Sequence, residues 1–315
     1  MNQKSIIPFL LFVIAFAYAG QGQTKESINK FAFVSNFKYL ILSDEVKNTW
    51  VKGSFKADNE AFCLISEVNP SQIPDLLKSF VGREFKVYNV EGETKIAKIV
   101  SLKILSEYVP HFSSSQRWEH MDEKEVIKER LDNGVKRLVA ELSIGSNFRG
   151  LIAHRTGEKD FVVYQKVNDS DKDTLVKSIF RKSAYFTDAQ KEFESFKMEK
   201  KGRYKETCWL DHGHDLEIGH FSNSNDDFCS TIRVYGNDYA GFAKNSLSVW
   251  RIFNGRPNLI YQVADTYLFL KMILDIDSDN KPELILNDMR GYYLVSGKDK
   301  EYINTYTYPN YDCGY

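Results

Sequence analysis

An α+β protein is the fold class that this sequence predicts. Residues 31–203 read as an N-terminal mixed α/β domain of antiparallel hairpins and a few helices, and residues 204–315 as an all-β module. Three observations carry the expectation. Residues 85–105 alternate apolar and polar side chains on either side of Glu91-Gly92, as a hairpin does. Stretches opening at Asp122, Asp171 and Thr187 repeat apolar residues at helical spacing. Beyond Lys205 no helical period is present, and an aromatic content of 14 % favours strand over disorder.

Taken in order, the chain opens with Lys4 near its start, an apolar run over 6–16 and the small-residue site Ala17-Tyr18-Ala19. A basic start, a short apolar core and an A-x-A site make residues 1–19 a secretory signal peptide, cleaved near Ala19. The apolar run falls short of the ~20 residues a membrane span needs, and no second span follows, so the cleaved chain is expected to be soluble and secreted or periplasmic. Residues 20–30 are polar and read as a flexible lead-in. Removing the leader takes away Lys4 and no acid, and the remaining charge is close to balanced. With no basic stripe, nucleic acid is excluded as a partner.

Within 31–203, residues 31–42 read as strand and 71–81 as a short helix with Leu76, Leu77 and Phe80 on one side. The hairpin 85–105 follows. Asp122 and Glu125 form the spacing of a capping box, and Ile127, Leu131, Val135, Leu138 and Leu142 then extend the helical period across Gly134. Strand pieces occupy 144–167. Residues 171–182 read as helix, and Thr187 with Gln190 spaces a second capping box, opening a helix to about Lys200 with Phe193 and Phe196 inward. The charged run 197–203 ends in Gly-Arg and marks the domain boundary. Four cysteines follow the leader: Cys63, Cys208, Cys229 and Cys313. An even number in an exported chain permits two disulfides in three possible pairings, and free buried thiols are the alternative.

In the C-terminal part, residues 247–261 read as a hairpin about Asn254-Gly255. Then Asp275, Asp277 and Asp279 stand at alternate positions, followed by Pro282 and Glu283, between apolar runs at 267–274 and 284–286. Strand, acidic loop, strand is the reading. Crowded carboxylates repel one another unless a cation lies between them, and a hard ion taking six to eight oxygens suits this donor set. Counting Asp275 as position one, side-chain oxygens stand at one, three, five and nine, and Lys281 at seven offers its backbone carbonyl. A helix-loop-helix calcium hand requires a ligand at position twelve, where this chain has Leu286. Asn280 at position six tolerates the left-handed turn. An acidic turn with solvated carboxylates is the plainer alternative.

These residues resemble the calcium loop of FG-GAP and VCBS-type repeats, the blades of integrin-like β-propellers, over the loop and its neighbouring strands. The resemblance implies calcium held by Asp275, Asp277, Asp279, Glu283 and the Lys281 carbonyl. It implies a propeller-blade-like C-terminal module, and a protein or polysaccharide partner at a cell surface. The family usually has Gly where this chain has Asn280.

One other cluster is notable. On a strand, His212 and His214 would share a face and could hold a second metal, zinc, with His220 as a third ligand; short polar loops of this kind also merely cap turns. Neither H-E-x-x-H, G-x-S-x-G, a P-loop nor a dinucleotide fingerprint occurs. The expected protein is therefore an exported, non-catalytic calcium-binding protein, with a metal-dependent hydrolase built on His212 and His214 as the alternative.

Overall fold

The computed structural model describes residues 31–307 apart from 59–62, 109–117, 119, 146, 201–203, 225–226, 237–240, 265, 289 and 297–300. The expected signal peptide, the lead-in and Cys313 lie outside the described residues.

Antiparallel strands dominate from the start. β1 (Ala32–Ser35) and β2 (Tyr39–Ser43) form a hairpin whose turn places Asn36 and Phe37 at positive φ. β3 (Val51–Ala57) and β4 (Cys63–Val68) form a second, and β5 (Glu84–Asn89) and β6 (Thr94–Glu107) a third. β7 (Val135–Leu142) and β8 (Gly150–Arg155) complete the group. Pairing runs β6-β5-β8-β1-β2-β7 and returns from β7 to β6, which closes a six-stranded barrel. Closure needs β6, at 14 residues, to serve two neighbours along one edge: its first half pairs with β5 and its second with β4. The β3–β4 hairpin therefore hangs outside the ring.

The second sheet starts upstream of the expected boundary. β9 (Val162–Val167) pairs with β10 (His214–Ser224) on one side and β14 (Phe269–Asp275) on the other. With β11 (Asp227–Gly236), β12 (Ser246–Phe253), β13 (Arg256–Ala264), β15 (Glu283–Asp288), β16 (Gly291–Val295) and β17 (Tyr302–Thr307), it makes one curled nine-stranded half-barrel in the order β13-β12-β11-β10-β9-β14-β15-β16-β17.

The predicted fold class is thus corrected: the protein is mostly β, a barrel beside a curled sheet. Its N-terminal part is not a mixed α/β domain, and its C-terminal strands are not a propeller blade, since nine of them share one continuous sheet. The helices explain the first error. The 71–81 helix shrinks to one turn, α1 (Asp75–Lys78). α2 (Glu123–Asn133) opens on the expected capping box, with Asp122 and Glu125 exchanging bonds, but stops before Gly134. The residues expected to continue it, Val135, Leu138 and Leu142, lie instead in β7, where pairing with both β2 and β6 outweighs a weak helical period. Gly134 follows in extended geometry, and a Cβ there would lie 2.4 Å from the Arg130 carbonyl oxygen. α3 (Asp171–Arg181) and α4 (Ala184–Glu199) pack Val176, Phe180, Ala189 and Phe193 against Trp209 and against Ile232 and Val234 of β11, so they serve the second sheet. α4 begins before Thr187: Ser183 caps it, and Thr187 lies inside its first turn.

Alternation divides the core. In β1 and β2, Ala32, Val34, Leu40 and Leu42 fill the barrel, while Phe33, Tyr39 and Ile41 face outward. Those outward residues pack on Met272, Leu274, Ile285 and Leu294 of the second sheet. The other face of β14 and β15, Ile273, Leu284 and Leu286, lines the interior of the curl with Val249 and Ile260. Strands covered on both sides show no polar alternation, the sequence mark of full burial.

A buried polar network crosses the seam. Arg137 Nη1 donates to Glu107 Oε2 at 2.7 Å, and its Nε to Asp44 Oδ1 at 2.6 Å. Arg137 Nη2 donates to the Thr307 carbonyl at 2.5 Å. The Tyr306 hydroxyl reaches Ser35 Oγ at 2.7 Å and also Glu107 Oε1. Barrel residues from β1, β6 and β7 are thereby tied to β17 of the curled sheet. Removing one member of a buried ion pair strands its partner's charge, which costs more than the pair itself is worth. Arg137→Met is expected to lower stability in urea unfolding by about 3–5 kcal/mol. Adding Glu107→Gln to it should restore part of that loss. A double variant no more stable than the single one would show that Glu107 is not the group left stranded.

Candidate metal centre

The acidic loop is held at both ends by strands with no freedom to shift. β14 delivers Asp275, 4 % exposed, and β15 begins at Glu283, 7 % exposed. Leu274 pairs with Glu283 across the ladder, so the two acids that bracket the turn sit at its base. Between them the chain makes a tight turn with Ser278 at φ 60° and Asn280 at φ 62°. Asn280 therefore occupies the left-handed position that the sequence reserved for it.

The turn winds its own N–H groups onto the carboxylates. Asp279 N donates to Asp275 Oδ1 at 3.2 Å and to Asp277 Oδ1 at 3.1 Å. Asn280 N donates to Asp275 Oδ2 at 3.1 Å, and Lys281 N to Asp279 Oδ1 at 2.7 Å. One oxygen from each of Asp275, Asp277 and Asp279 lies within 4.8 Å of the others, with Asp275 buried and the other two exposed. The donor set is all carboxylate, and a carboxylate oxygen that accepts one N–H has a second lone pair to offer, which suits a hard cation.

Glu283 stands slightly apart. Its Oε2 accepts from Ile276 N at 2.8 Å, and it does not belong to the three-carboxylate cluster. Burial raises its pKa from 4.5 to about 7; the Ile276 N–H opposes the rise, and the charges of Asp277, Asp275 and Asp279 add to it. Lys281 brings its ammonium within 3.8 Å of Asp279 Oδ2.

One residue at this centre escaped the sequence reading. Arg251 of β12 grips Asp227 through Nε at 2.8 Å and Nη2 at 2.6 Å, and its Nη1 donates to the Asn280 carbonyl. Tyr164 of β9 adds a third bond to Asp227 at 2.9 Å. The apex of the acidic turn is thus tethered to the neighbouring strands. No local signal marks this, because Arg251 lies 24 residues from Asp227 and 29 from Asn280.

The histidines do not converge. His212 lies in the turn before β10, so strand alternation does not apply to it; it is buried among Phe193, Phe196 and Tyr204, 3.6 Å from Glu206. His214 accepts from Lys244 N at 3.0 Å, and burial, the largest influence on it, lowers its pKa. His220 is six residues further along the strand, roughly 20 Å at strand rise, and is bonded to Ser230 and Asp173. Among the described residues the three aspartates are the metal-competent cluster, and no histidine joins one. Cys63, Cys208 and Cys229 are free thiols. Burial pushes the Cys63 thiol up to about 12, and it raises Cys229 as well, so neither is a nucleophile near neutrality.

No family model matches the chain, and no curated protein or solved structure matches it either.

Glu283 sets a pH dependence. Between about pH 4.5 and about 7 the folded protein retains a proton that the unfolded chain has released, so stability falls as pH rises through that window. With chelator present, Glu283→Gln should be the more stable protein at pH 8 by about 2–3 kcal/mol and should lose the decline. Urea unfolding of both proteins across the window measures it; a flat wild-type profile would contradict it.

Proposed function

We propose that the protein is an exported, non-catalytic calcium-binding β protein in which the ion stiffens the turn between β14 and β15. The observation behind this reading is the convergence of Asp275, Asp277 and Asp279 at the buried C-terminal end of β14. Three exposed acids in a loose turn would separate to relieve repulsion; these are held together by backbone bonds and by strands covered on both faces. A bound cation supplies the positive charge that cancels their repulsion and fixes the turn.

Calcium is favoured over magnesium by the donor count. Three carboxylates, Glu283 beneath them and the Lys281 carbonyl offer five protein oxygens, near the six to eight that calcium takes. Magnesium retains several waters and uses fewer protein donors. The likeness of the loop to FG-GAP and VCBS repeats supports the same ion at the same positions. It also supports a protein or polysaccharide partner at a cell surface. Export rests on the leader-like residues 1–19. The near-neutral charge speaks against nucleic acid. Among the described residues no helix is long and apolar enough to cross a membrane.

Calcium at a hundredfold excess over Kd is expected to raise the melting temperature by about 5–10 °C, and chelator to reverse it. Asp277→Ala, an exposed position whose loss leaves the strands intact, should abolish the shift while melting as wild type does in chelator. Magnesium should give a smaller shift at equal concentration. If calorimetry at millimolar calcium records no heat and chelator leaves the melt unchanged, the reading is wrong.

A further inference from the structure

α2 lies across β3, β4 and β6, the hairpin that hangs outside the barrel and the strand that carries it. Its one buried side chain is a charged one, Arg130, 7 % exposed. Val126, Ile127 and Leu131 on the same helix are only half covered. Helices bury apolar residues and leave arginine in water, so this helix inverts the usual order.

Among the described residues the guanidinium has no counter-charge of its own. Arg130 Nε and Nη2 are buried and without a hydrogen-bond partner. Glu107, which like Arg130 acts on Cys63, is already taken by Arg137, Ser35 and Tyr306. Cys63, the ionisable group that Arg130 feels most, is a neutral thiol. The Trp118 ring lies 5.9 Å from Arg130 Cζ and is tilted 45° to the Tyr108 ring, and Trp118 Nε1 is likewise buried and unpartnered. Ser106 Oγ, beneath the last turn of the helix beside Gly134, is a third such group.

Nε and Nη2 are the two donors on the side edge of a guanidinium. Their N–H bonds run parallel and match two oxygens of one carboxylate or phosphoryl group. A buried charge with that edge unused is among the most destabilising features a core can hold, and a residue kept only for packing would be better as Met or Leu. We infer that the side edge of Arg130, with the Trp118 indole N–H beside it, is a binding site for an oxyanion, either a carboxylate or a phosphoryl group. The anion neutralises the guanidinium and takes its two idle donors, and the ring of Trp118 walls one side. This site is on the barrel and is independent of the acidic loop.

The test uses the full chain in chelator, so the cation loop plays no part. Sodium phosphate and sodium acetate are titrated separately against sodium chloride of equal ionic strength, by calorimetry and by thermal melts. The expected result is one-to-one binding of at least one oxyanion, with the melting temperature rising about 2–4 °C at tenfold excess over Kd. A response to phosphate alone assigns a phosphoryl group, to acetate alone a carboxylate, and to both their shared geometry. Arg130→Met should remove the response and, in chloride, melt no lower than wild type. If that variant does not fold, Arg130→Lys keeps the charge, loses the fork and should bind at least about tenfold more weakly. Neither anion exceeding chloride, or an undiminished response in the Arg130 variant that folds, overturns the proposal.

Discussion

Burial of both faces of a few strands is the constraint on which this protein depends. β1 and β2 fill the barrel with one set of side chains and meet the curled sheet with the other. β14 and β15 meet the barrel with Met272, Leu274 and Ile285 and fill the curl with Ile273, Leu284 and Leu286. A one-residue slip in any of these strands would exchange its two faces, and both faces are already filled by side chains fitted to them. Register is therefore fixed more firmly here than at a sheet with one wet face.

The acidic turn inherits that rigidity. Asp275 and Glu283 are the last and first residues of strands that cannot slide, and Arg251 holds the apex from a third strand. A site whose ligands are placed by the scaffold loses less entropy on capturing an ion than one that must gather them. The same burial makes Glu283 a weaker acid than a free glutamate, so the base of the turn changes charge near neutral pH.

Polar groups are placed unevenly across the seam. Arg137, Glu107, Tyr306, Ser35 and Asp44 satisfy one another and knit the barrel to β17. On α2 and beside it, Arg130 and Trp118 keep idle donors. The contrast separates a charge that serves the fold from one that the fold leaves unsatisfied.

The sequence by itself determined the local events, those written within a few residues of one another. The capping box at Asp122, the hairpins at Gly92 and Asn254-Gly255, and the strand–turn–strand at Asp275–Glu283 were legible because each rests on the φ preference or side-chain reach of adjacent residues. The helix that became β7 misled because a helical period and a strand can be written with the same apolar residues, and only the flanking partners choose. Barrel closure through β6, the entry of β9 into the second sheet and the grip of Arg251 were decided by tertiary structure alone. Each depends on contacts between residues distant in the chain, and no spacing within the sequence records which strand will lie beside which.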